Sequence, residues 1–286
     1  MKFIRIGAEG AEKPCVLDAS GIARDVSSVV PDFTPETIPV LGDALSSVDL
    51  DALPAVTVDG QRIGTPMTQP RNIYLIGMNY REHAIEAGVD IPSEPILSNK
   101  SSGSFCAPDD PILYSPGMTK LDWEVELGVV IGKTTLNVSK RDALDYVLGY
   151  TVVNDVSERA WQIGPGGQWA KGKGFPNFCP TGPMIVTGDE IDDAGALRMW
   201  LDVNGERMQT GNTQDMIFGP AAIVSNLSEY IRLEPGDLIC TGTPPGIGYA
   251  KTPPVYLKIG DRVSLGIEGL GEQAQEVVPL KTMETA

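Results

Sequence analysis

Residues 122–128 (DWEVELG) alternate acidic and apolar side chains, and the apolar character then continues without interruption to Ile131. In a β-strand successive side chains point to opposite faces, so Asp122, Glu124 and Glu126 are expected to share one face. Three like charges on one face of a strand that enters a core repel each other and are costly to desolvate unless a cation compensates them. The pattern therefore predicts either a bound cation or an edge strand with a solvated acidic face.

A second acidic group favours the bound cation. Asp155 follows the apolar run Tyr150–Val153 and is expected to emerge at the end of a core strand. Because the chain has a single histidine and no Cys-x-x-Cys pair, a site made of carboxylate oxygens is the simplest metal site. We predict that Glu124, Glu126 and Asp155 bind Mg²⁺, with Mn²⁺ or Ca²⁺ as alternatives, and leave coordination positions open for substrate and water.

The charge balance restricts the partners of the chain. It has 22 Lys and Arg against 38 Asp and Glu, and a net charge of −16 repels nucleic-acid phosphates and anionic membranes, so we expect neither as a partner. No apolar run approaches the roughly 18 residues that span a bilayer, and the first residues lack the apolar core of a signal peptide. With four widely spaced cysteines, these features predict a cytoplasmic protein.

The chain divides by composition into two regions. Residues 1–65 predict a small β-rich N-terminal domain, and residues 70–286 predict a larger catalytic domain in which strands and short helices mix. In the second region we predict strands over 123–131 and 255–259, and a helix over 220–230 whose apolar residues recur at helical spacing. The predicted fold class is α+β.

Three further segments carry chemically useful side chains. His83 and Glu86 lie three residues apart in a segment that predicts a helix, so they are expected on one face. A carboxylate beside an imidazole suits it to act as a general base on water, with a plain surface contact as the alternative. Lys173 lies between glycines, where it could approach an anionic ligand or belong to a flexible loop. Thr243 lies in a turn-rich segment that could hold a carboxylate or be simply a turn.

Six segments are distinctive when taken in order. They are GMNYREHAIE (77–86), DWEVELGVVIG (122–132), GYTVVNDVSERAWQ (149–162), GQWAKGKGFPNFCPTGP (167–183), NGERMQTGNTQDMIFGP (204–220) and GDLICTGTPPGIG (236–248). Over residues 70–280 the chain resembles the fumarylacetoacetate hydrolase family. The resemblance implies a mixed β-roll, and a homodimer or a higher even homo-oligomer.

The resemblance also implies a function for ten residues of one active site. They are the metal ligands Glu124, Glu126 and Asp155; the water-activating pair His83 and Glu86; Lys173, which stabilises developing negative charge; Arg159 and Gln162, which contact the substrate; and Gly242 with Thr243, which hold the substrate carboxylate. In this comparison His83 and Glu86 belong to a lid that closes over the substrate.

The activity implied by the resemblance is metal-dependent hydrolysis of the C3–C4 bond of a 2,4-diketo acid, a 2-keto acid substrate. The expected compound is L-2,4-diketo-3-deoxyrhamnonate, which gives pyruvate and L-lactate. An oxaloacetate-type decarboxylase, a dienoate isomerase and a ureidoglycolate lyase are alternatives on the same site, and a catalytically silent binding protein is another. The pair His83 and Glu86 favours hydrolysis, because neither decarboxylation nor isomerisation requires activated water.

Overall fold

The fold is built mainly from β-strands, as the short alternating patterns predict. The computed structural model describes residues 1–164 and 166–281, and these ranges contain nineteen strands. In chain order they are β1 (Lys2–Ile6), β2 (Lys13–Leu17), β3 (Ala23–Asp25), β4 (Ala55–Val56), β5 (Ile73–Gly77), β6 (Ile96–Lys100), β7 (Phe105–Cys106), β8 (Ile112–Tyr114), β9 (Leu121–Asp122), β10 (Val125–Ile131), β11 (Val147–Asn154), β12 (Ser157–Glu158), β13 (Cys179–Pro180), β14 (Ile185–Val186), β15 (Arg198–Val203), β16 (Glu206–Asn212), β17 (Leu238–Cys240), β18 (Arg262–Ile267) and β19 (Gly271–Pro279).

The helices are short and lie between strands. In the same ranges they are α1 (Leu41–Leu45), α2 (Arg81–Glu86), α3 (Arg159–Ile163), α4 (Trp169–Lys173) and α5 (Pro220–Tyr230). Single 3-10 turns lie at Ile38–Val40, Leu50–Ala52, Ser102–Ser104, Ala143–Tyr146, Gly188–Glu190, Thr213–Asp215 and Gly248–Ala250. The predicted helix over 220–230 is confirmed as α5, which begins at Pro220, where a missing N–H costs no hydrogen bond. Within the described residues, none of these helices has the length and apolar character needed to cross a bilayer.

A ten-stranded mixed sheet positions the candidate site. Its strand order is β4-β3-β2-β1-β14-β11-β10-β17-β5-β6. β10 lies inside this sheet, antiparallel to both β11 and β17, and all seven of its residues are buried. Because β17 runs parallel to β5, the segments that follow these two strands leave the sheet at the same edge. β10 starts at that edge and β11 ends there, so four separate stretches of sequence meet at one place.

The main hydrophobic core lies between this sheet and a second one of five strands, ordered β16-β15-β18-β19-β8. Leu127 and Val129 of β10 belong to one cluster with Leu201 of β15 and Leu265 of β18, all fully buried. Burial of each such side chain contributes about 1.5–3 kcal/mol. The apolar positions of the alternating segment therefore face this core, and its acidic positions face away from it.

The N-terminal strands continue the large sheet. β1 pairs antiparallel with β14, with Phe3 opposite Ile185. Phe3 also packs in a hydrophobic cluster with Val130 of β10 and Leu238 of β17. Residues 1–65 thus share a sheet and a cluster with the rest of the chain, and the division into domains at 1–65 and 70–286 stays a prediction.

The predicted strand over 123–131 begins two residues later than expected. The backbone N–H of Glu124 donates to the side-chain Oδ1 of Asn154 at 3.2 Å rather than to a backbone carbonyl of β11. Regular pairing starts only at Val125, opposite Asn154. The side-chain bond therefore takes the place of a backbone ladder bond at the N–H of Glu124, just before the first residue of β10.

The predicted strand over 255–259 is wrong. This segment forms isolated backbone bonds instead of a ladder, from Val255 N to Gly248 O at 3.0 Å and from Leu257 N to Leu121 O at 2.8 Å. The preceding prolines, Pro253 and Pro254, have no N–H to donate, so a ladder cannot begin before Val255, and beyond it the bonds alternate between a turn and β9 instead of following one partner strand.

Candidate active site

A cavity of about 490 Å³ opens at the shared edge of the large sheet. Its wall includes all ten residues that the resemblance implies for the site: His83, Glu86, Glu124, Glu126, Asp155, Arg159, Gln162, Lys173, Gly242 and Thr243. The five charged residues contributed by β10, α3, α4 and the strand ends are each at most 5% exposed. So much charge away from water requires compensation inside the protein. The structure brings the ten residues together, while the role of each stays a prediction.

The three predicted metal ligands lie at the ends of two paired strands. Glu126 belongs to β10, Glu124 precedes it by two residues, and Asp155 directly follows β11. The N–H of Asp155 donates to the carbonyl of Glu124 at 2.9 Å, which continues the pairing of the two strands by one step. One carboxylate oxygen of each residue lies within 4.8 Å of the others. At that spacing a single cation with oxygen distances of about 2.0–2.6 Å can touch all three.

Glu124 is compensated by two cationic side chains. Its Oε1 accepts from Arg159 Nη2 at 2.6 Å, and its Oε2 accepts from Lys173 Nζ at 2.7 Å. Burial opposes ionisation, but Lys173 and Arg159 outweigh it and hold the pKa of Glu124 well below its usual range. Burial likewise acts to lower the pKa of Lys173, yet Asp155 and Glu124 raise it above its ordinary value. This part of the cluster is fully ionised at neutral pH.

Glu126 is placed differently. Its Oε2 accepts from the backbone N–H of Gly242 at 2.7 Å, and within residues 1–164 and 166–281 it forms no ion pair. Burial and the nearby charges of Asp155 and Glu124 raise the pKa of Glu126 well above its ordinary value. Glu126 is therefore the carboxylate of the triad whose negative charge has no cationic side chain beside it within the described residues, and its raised pKa disfavours that charge until a cation compensates it. A divalent cation would neutralise it, and an all-oxygen donor set suits a hard ion such as Mg²⁺ or Mn²⁺.

Lys100 is a site residue that sequence reasoning missed. Its Nζ donates to Asp155 Oδ1 and to the carbonyl of Val156 at 3.0 Å, and its side chain is fully buried. The other oxygen of Asp155 accepts from Lys173, so two ammonium groups fix this carboxylate. Lys100 is simply the last residue of β6, and its partner lies 55 positions away in the sequence. No local pattern marks it.

Helix α2 carries the predicted water-activating pair. His83 Nδ1 and Glu86 Oε2 are 3.3 Å apart on one face of the helix, as the three-residue spacing predicts. The backbone N–H of Gly246 donates to both oxygens of Glu86, at 3.2 and 3.3 Å. Since Glu86 engages Nδ1, Nε2 is the ring nitrogen left for chemistry in the cavity. The contact with Gly246 holds α2 against the turn that follows β17.

Arg159 and Gln162, both on α3, were predicted to contact the substrate. Arg159 Nε donates to Asp122 Oδ2 at 2.9 Å, Nη1 donates to Gln162 Oε1 at 3.0 Å, and Nη2 donates to Glu124. All three guanidinium nitrogens thus have acceptors on the protein. Gln162 lines the cavity, and its side-chain nitrogen has no acceptor within the described residues, so that nitrogen is the donor of this pair that is left for a substrate oxygen.

The turn after β17 fits closely against the start of β10. Gly242 has a φ of +97°, and a Cβ there would lie 2.8 Å from the Cβ of Asn79, so only glycine fits. The hydroxyl of Thr243 donates to the carbonyl of Val125 at 2.9 Å and accepts from Gln209 Nε2 at 2.8 Å. The hydroxyl proton of Thr243 is therefore already used in a hydrogen bond, and the backbone N–H of Thr243 is the group left to hold a carboxylate. Gln209, from β16 of the second sheet, was not predicted.

Residues 72–278 match the family described as fumarylacetoacetate (FAA) hydrolase C-terminal. The chain belongs to this family. Over its whole length it is also similar to a Burkholderia ambifaria protein named "Putative hydrolase", which is 51% identical over 283 residues, covering 96% of this chain and 98% of that protein. The resemblance that the six sequence segments indicate is confirmed.

Solved structures share the fold from end to end. Fumarylacetoacetate hydrolase from Exiguobacterium antarcticum is 36% identical with a TM-score of 0.88, covering 98% of this chain and 100% of that one. Maleylpyruvate hydrolase from Sphingobium, solved with manganese(II) and pyruvate, is 26% identical with a TM-score of 0.81 and the same coverage. A 2-hydroxyhepta-2,4-diene-1,7-dioate isomerase from Mycobacterium marinum is 30% identical with a TM-score of 0.77, covering 98% of both chains. The predicted α+β fold of this family is thus confirmed, and an enzymatic function is supported.

Proposed function

We propose that this protein is a divalent-metal-dependent hydrolase that cleaves the C3–C4 bond of a 2,4-diketo acid. One observation carries the proposal. The pair His83 and Glu86 and the acidic triad of Glu124, Glu126 and Asp155 border the same cavity of about 490 Å³. A general base that can activate water and a binding site for a hard cation therefore lie beside the same cavity, where both can act on one small substrate.

A bound divalent cation supplies Lewis acidity at the 2-keto end of the substrate, and three carboxylate ligands leave room for substrate oxygens. We propose Mg²⁺, with Mn²⁺ or Ca²⁺ as alternatives. The manganese in the Sphingobium maleylpyruvate hydrolase structure supports a divalent ion of this type. The side-chain nitrogen of Gln162 and the backbone N–H of Thr243 hold the substrate carboxylate, and Arg159 keeps Gln162 and Glu124 in place.

The chemistry follows from the remaining side chains. His83 Nε2 accepts a proton from water while Glu86 holds the ring at Nδ1, and the water oxygen bonds to C4. Lys173 has three N–H donors, of which Glu124 and Asp155 take two, so the third can stabilise the negative charge on the C4 oxygen. The C3–C4 bond then breaks with its electron pair on C3. Protonation of C3 gives pyruvate, and C4 leaves as the carboxyl group of the second acid.

The proposed substrate is L-2,4-diketo-3-deoxyrhamnonate, with pyruvate and L-lactate as products. We also propose a cytoplasmic location and a homodimer or higher even homo-oligomer, as the family resemblance implies. The similarity to the Mycobacterium marinum isomerase favours one second candidate, a dienoate isomerase. That reaction moves a proton between carbons and needs no hydrolytic water. Oxaloacetate-type decarboxylation is a further activity that the assay below separates, and release of urea from ureidoglycolate tests the lyase alternative.

The test is release of pyruvate from L-2,4-diketo-3-deoxyrhamnonate, an acylpyruvate and oxaloacetate, each with Mg²⁺ and with EDTA. We expect Mg²⁺-dependent pyruvate from both diketo acids, with an equal amount of L-lactate from the sugar acid. Pyruvate from oxaloacetate alone would show a decarboxylase and remove the water-activating role of His83. No pyruvate from any of the three would overturn hydrolysis and direct the search to dienoate substrates.

A further inference from the structure

Asp122, the first acid of the alternating segment, lies outside the metal-ligand triad but is connected to it. The residue is fully buried, at 0% exposure. Its Oδ2 accepts from Arg159 Nε at 2.9 Å and from the backbone N–H of Tyr249 at 3.0 Å. Its Oδ1 accepts from the backbone N–H groups of Gly248 at 2.7 Å and of Trp123 at 2.9 Å. Four donors from three separate segments thus converge on one carboxylate.

The two sides of this carboxylate lead to two parts of the cavity. Through Arg159 it reaches Glu124, one of the proposed metal ligands. Through Gly248 and Tyr249 it fixes the segment 247–252, of which Ile247, Tyr249, Ala250, Lys251 and Thr252 line the cavity wall. Within the described residues the other backbone bonds of this segment are local, since Ala250 donates to Ile247, and Lys251 and Val255 both donate to Gly248. Asp122 therefore binds both the arginine that contacts the acidic triad and the backbone of the cavity wall.

We infer that Asp122 is a positioning residue that couples cation binding at the acidic triad to the placement of the 247–252 wall. The inference rests on the proposed metal site. With Asp122 charged, Arg159 is shared between two carboxylates, and Glu124 is left partly free to bind a cation. Without that charge, Glu124 is the only carboxylate that compensates Arg159. Arg159 then binds Glu124 more tightly and competes more strongly with the cation for this carboxylate. The wall loses its anchor in the same step, so binding of the cation and binding of the substrate weaken together.

Asp122→Asn is the direct test. An asparagine keeps the shape, but its NH₂ group faces two of the four donors whichever way the amide is turned. We expect the Kd for Mg²⁺, measured by calorimetry without substrate, to rise about tenfold, which is within the usual range of coupling between sites. We also expect KM for the diketo acid to rise more than kcat falls, because the wall contacts the substrate and does not take part in the chemistry.

Asp237→Asn is the matched control. Asp237 is also fully buried, accepts from the backbone N–H groups of Asn72 at 3.1 Å and Glu234 at 2.9 Å, and does not line the cavity. We expect this variant to lose a comparable amount of thermal stability with unchanged Mg²⁺ affinity and KM. If Asp122→Asn behaves in the same way as the control, Asp122 is only structural and the inference is overturned.

Hydrogen exchange of the unmodified protein tests the same coupling without a variant. Because coupling is reciprocal, addition of Mg²⁺ is expected to slow exchange in a peptide that covers 247–252, and to leave a peptide from β18 unchanged. Calorimetry shows separately whether Mg²⁺ binds at all. Absence of binding overturns the proposed metal site and this inference with it, whereas binding without slower exchange overturns the inference alone.

Discussion

Two clusters of charged side chains carry the same formal charge in different ways. The first, the arginine cluster, consists of Arg5, Arg62, Glu12, Asp32 and Asp110 and lies outside the cavity. Glu12 lies 3.4 Å from Arg5 and 3.0 Å from Arg62, while Arg5 binds Asp32 at 2.7 Å and Arg62 binds Asp110 at 2.9 Å. Two cations and three carboxylates give −1, but every carboxylate touches an arginine. The side chains of Asp32 and Asp110 also keep 26% and 25% of their surface in solvent.

The second, the cavity cluster, also has a formal charge of −1, from three cations and four carboxylates. Its members are Lys100, Arg159, Lys173, Asp122, Glu124, Glu126 and Asp155. Here the excess charge is not shared. Glu126 touches no cationic side chain within the described residues, and burial with two neighbouring carboxylates raises its pKa. The arginine cluster thus distributes its excess charge over arginine-paired carboxylates, whereas the cavity cluster leaves it at Glu126, where we propose that the cation binds.

The largest effect is expected at Glu126. Glu126→Gln removes the uncompensated charge, so we expect loss of measurable Mg²⁺ binding by calorimetry and loss of turnover, without loss of stability in the metal-free protein. Glu12→Gln in the arginine cluster is the matched control, and it should lower stability and leave Mg²⁺ binding intact. Full turnover with unchanged Mg²⁺ affinity in Glu126→Gln would refute the ligand assignment and the contrast between the clusters.

His83→Ala tests whether the cavity cluster serves hydrolysis. Loss of a general base typically lowers a rate by about 10²–10⁴-fold, and we expect a fall of that size in kcat for the diketo acid, with little change in Mg²⁺ affinity. The chain has only one histidine, so no other imidazole can replace it. An unchanged kcat would exclude the pair His83 and Glu86 from the mechanism.

Arg5→Met tests the other cluster. The substitution leaves Asp32 without an arginine and Glu12 with only one. Removal of one partner from a mostly buried group of ion pairs lowers the free energy of unfolding by about 3 kcal/mol. Denaturant unfolding should show that loss, while kcat/KM of the remaining folded enzyme stays the same. A parallel fall in kcat/KM would mean that the two clusters are not independent.

The smallest expected effect is stabilisation by the ion itself. At a free Mg²⁺ concentration about 100 times its Kd, a ligand that binds only the folded state adds about 2.7 kcal/mol to the free energy of unfolding. We expect this increment in the unmodified protein and, undiminished, in Arg5→Met. Thermal unfolding of Glu126→Gln should show no stabilisation by Mg²⁺. An equal stabilisation of this variant would mean that the ion binds at another site.

The sequence predicts those parts of the site whose signal is local. Glu124 and Glu126 follow from alternation within one strand, and His83 with Glu86 from the spacing of one helix. Lys100 and Gln209 could not be predicted in this way, because their partners lie 55 and 34 positions away and only the sheet topology brings them together.

The same distinction explains the errors in the fold. α5 was predicted with its exact bounds because its apolar spacing and initial Pro220 are local features. The start of β10 was misplaced because a side chain of the neighbouring strand, Asn154, displaces the ladder bond at Glu124. The segment 255–259 has the composition of a strand, but within the described residues its one backbone bond to a strand runs from Leu257 to Leu121 of the two-residue β9, and pairing partners are not encoded locally.

The way the 247–252 wall is held has a practical consequence for laboratory evolution. Its anchors are backbone N–H groups, at Gly248 and Tyr249, so the side chains at 247, 249 and 251 can be varied without removing a bond to Asp122. Gly248 must stay fixed, because a Cβ there would lie 2.0 Å from the carbonyl oxygen of Val255. A small library restricted to these three positions would therefore change the shape of the cavity and, with it, the acyl group of the proposed substrate, and would leave the three carboxylates of the proposed metal site as they are.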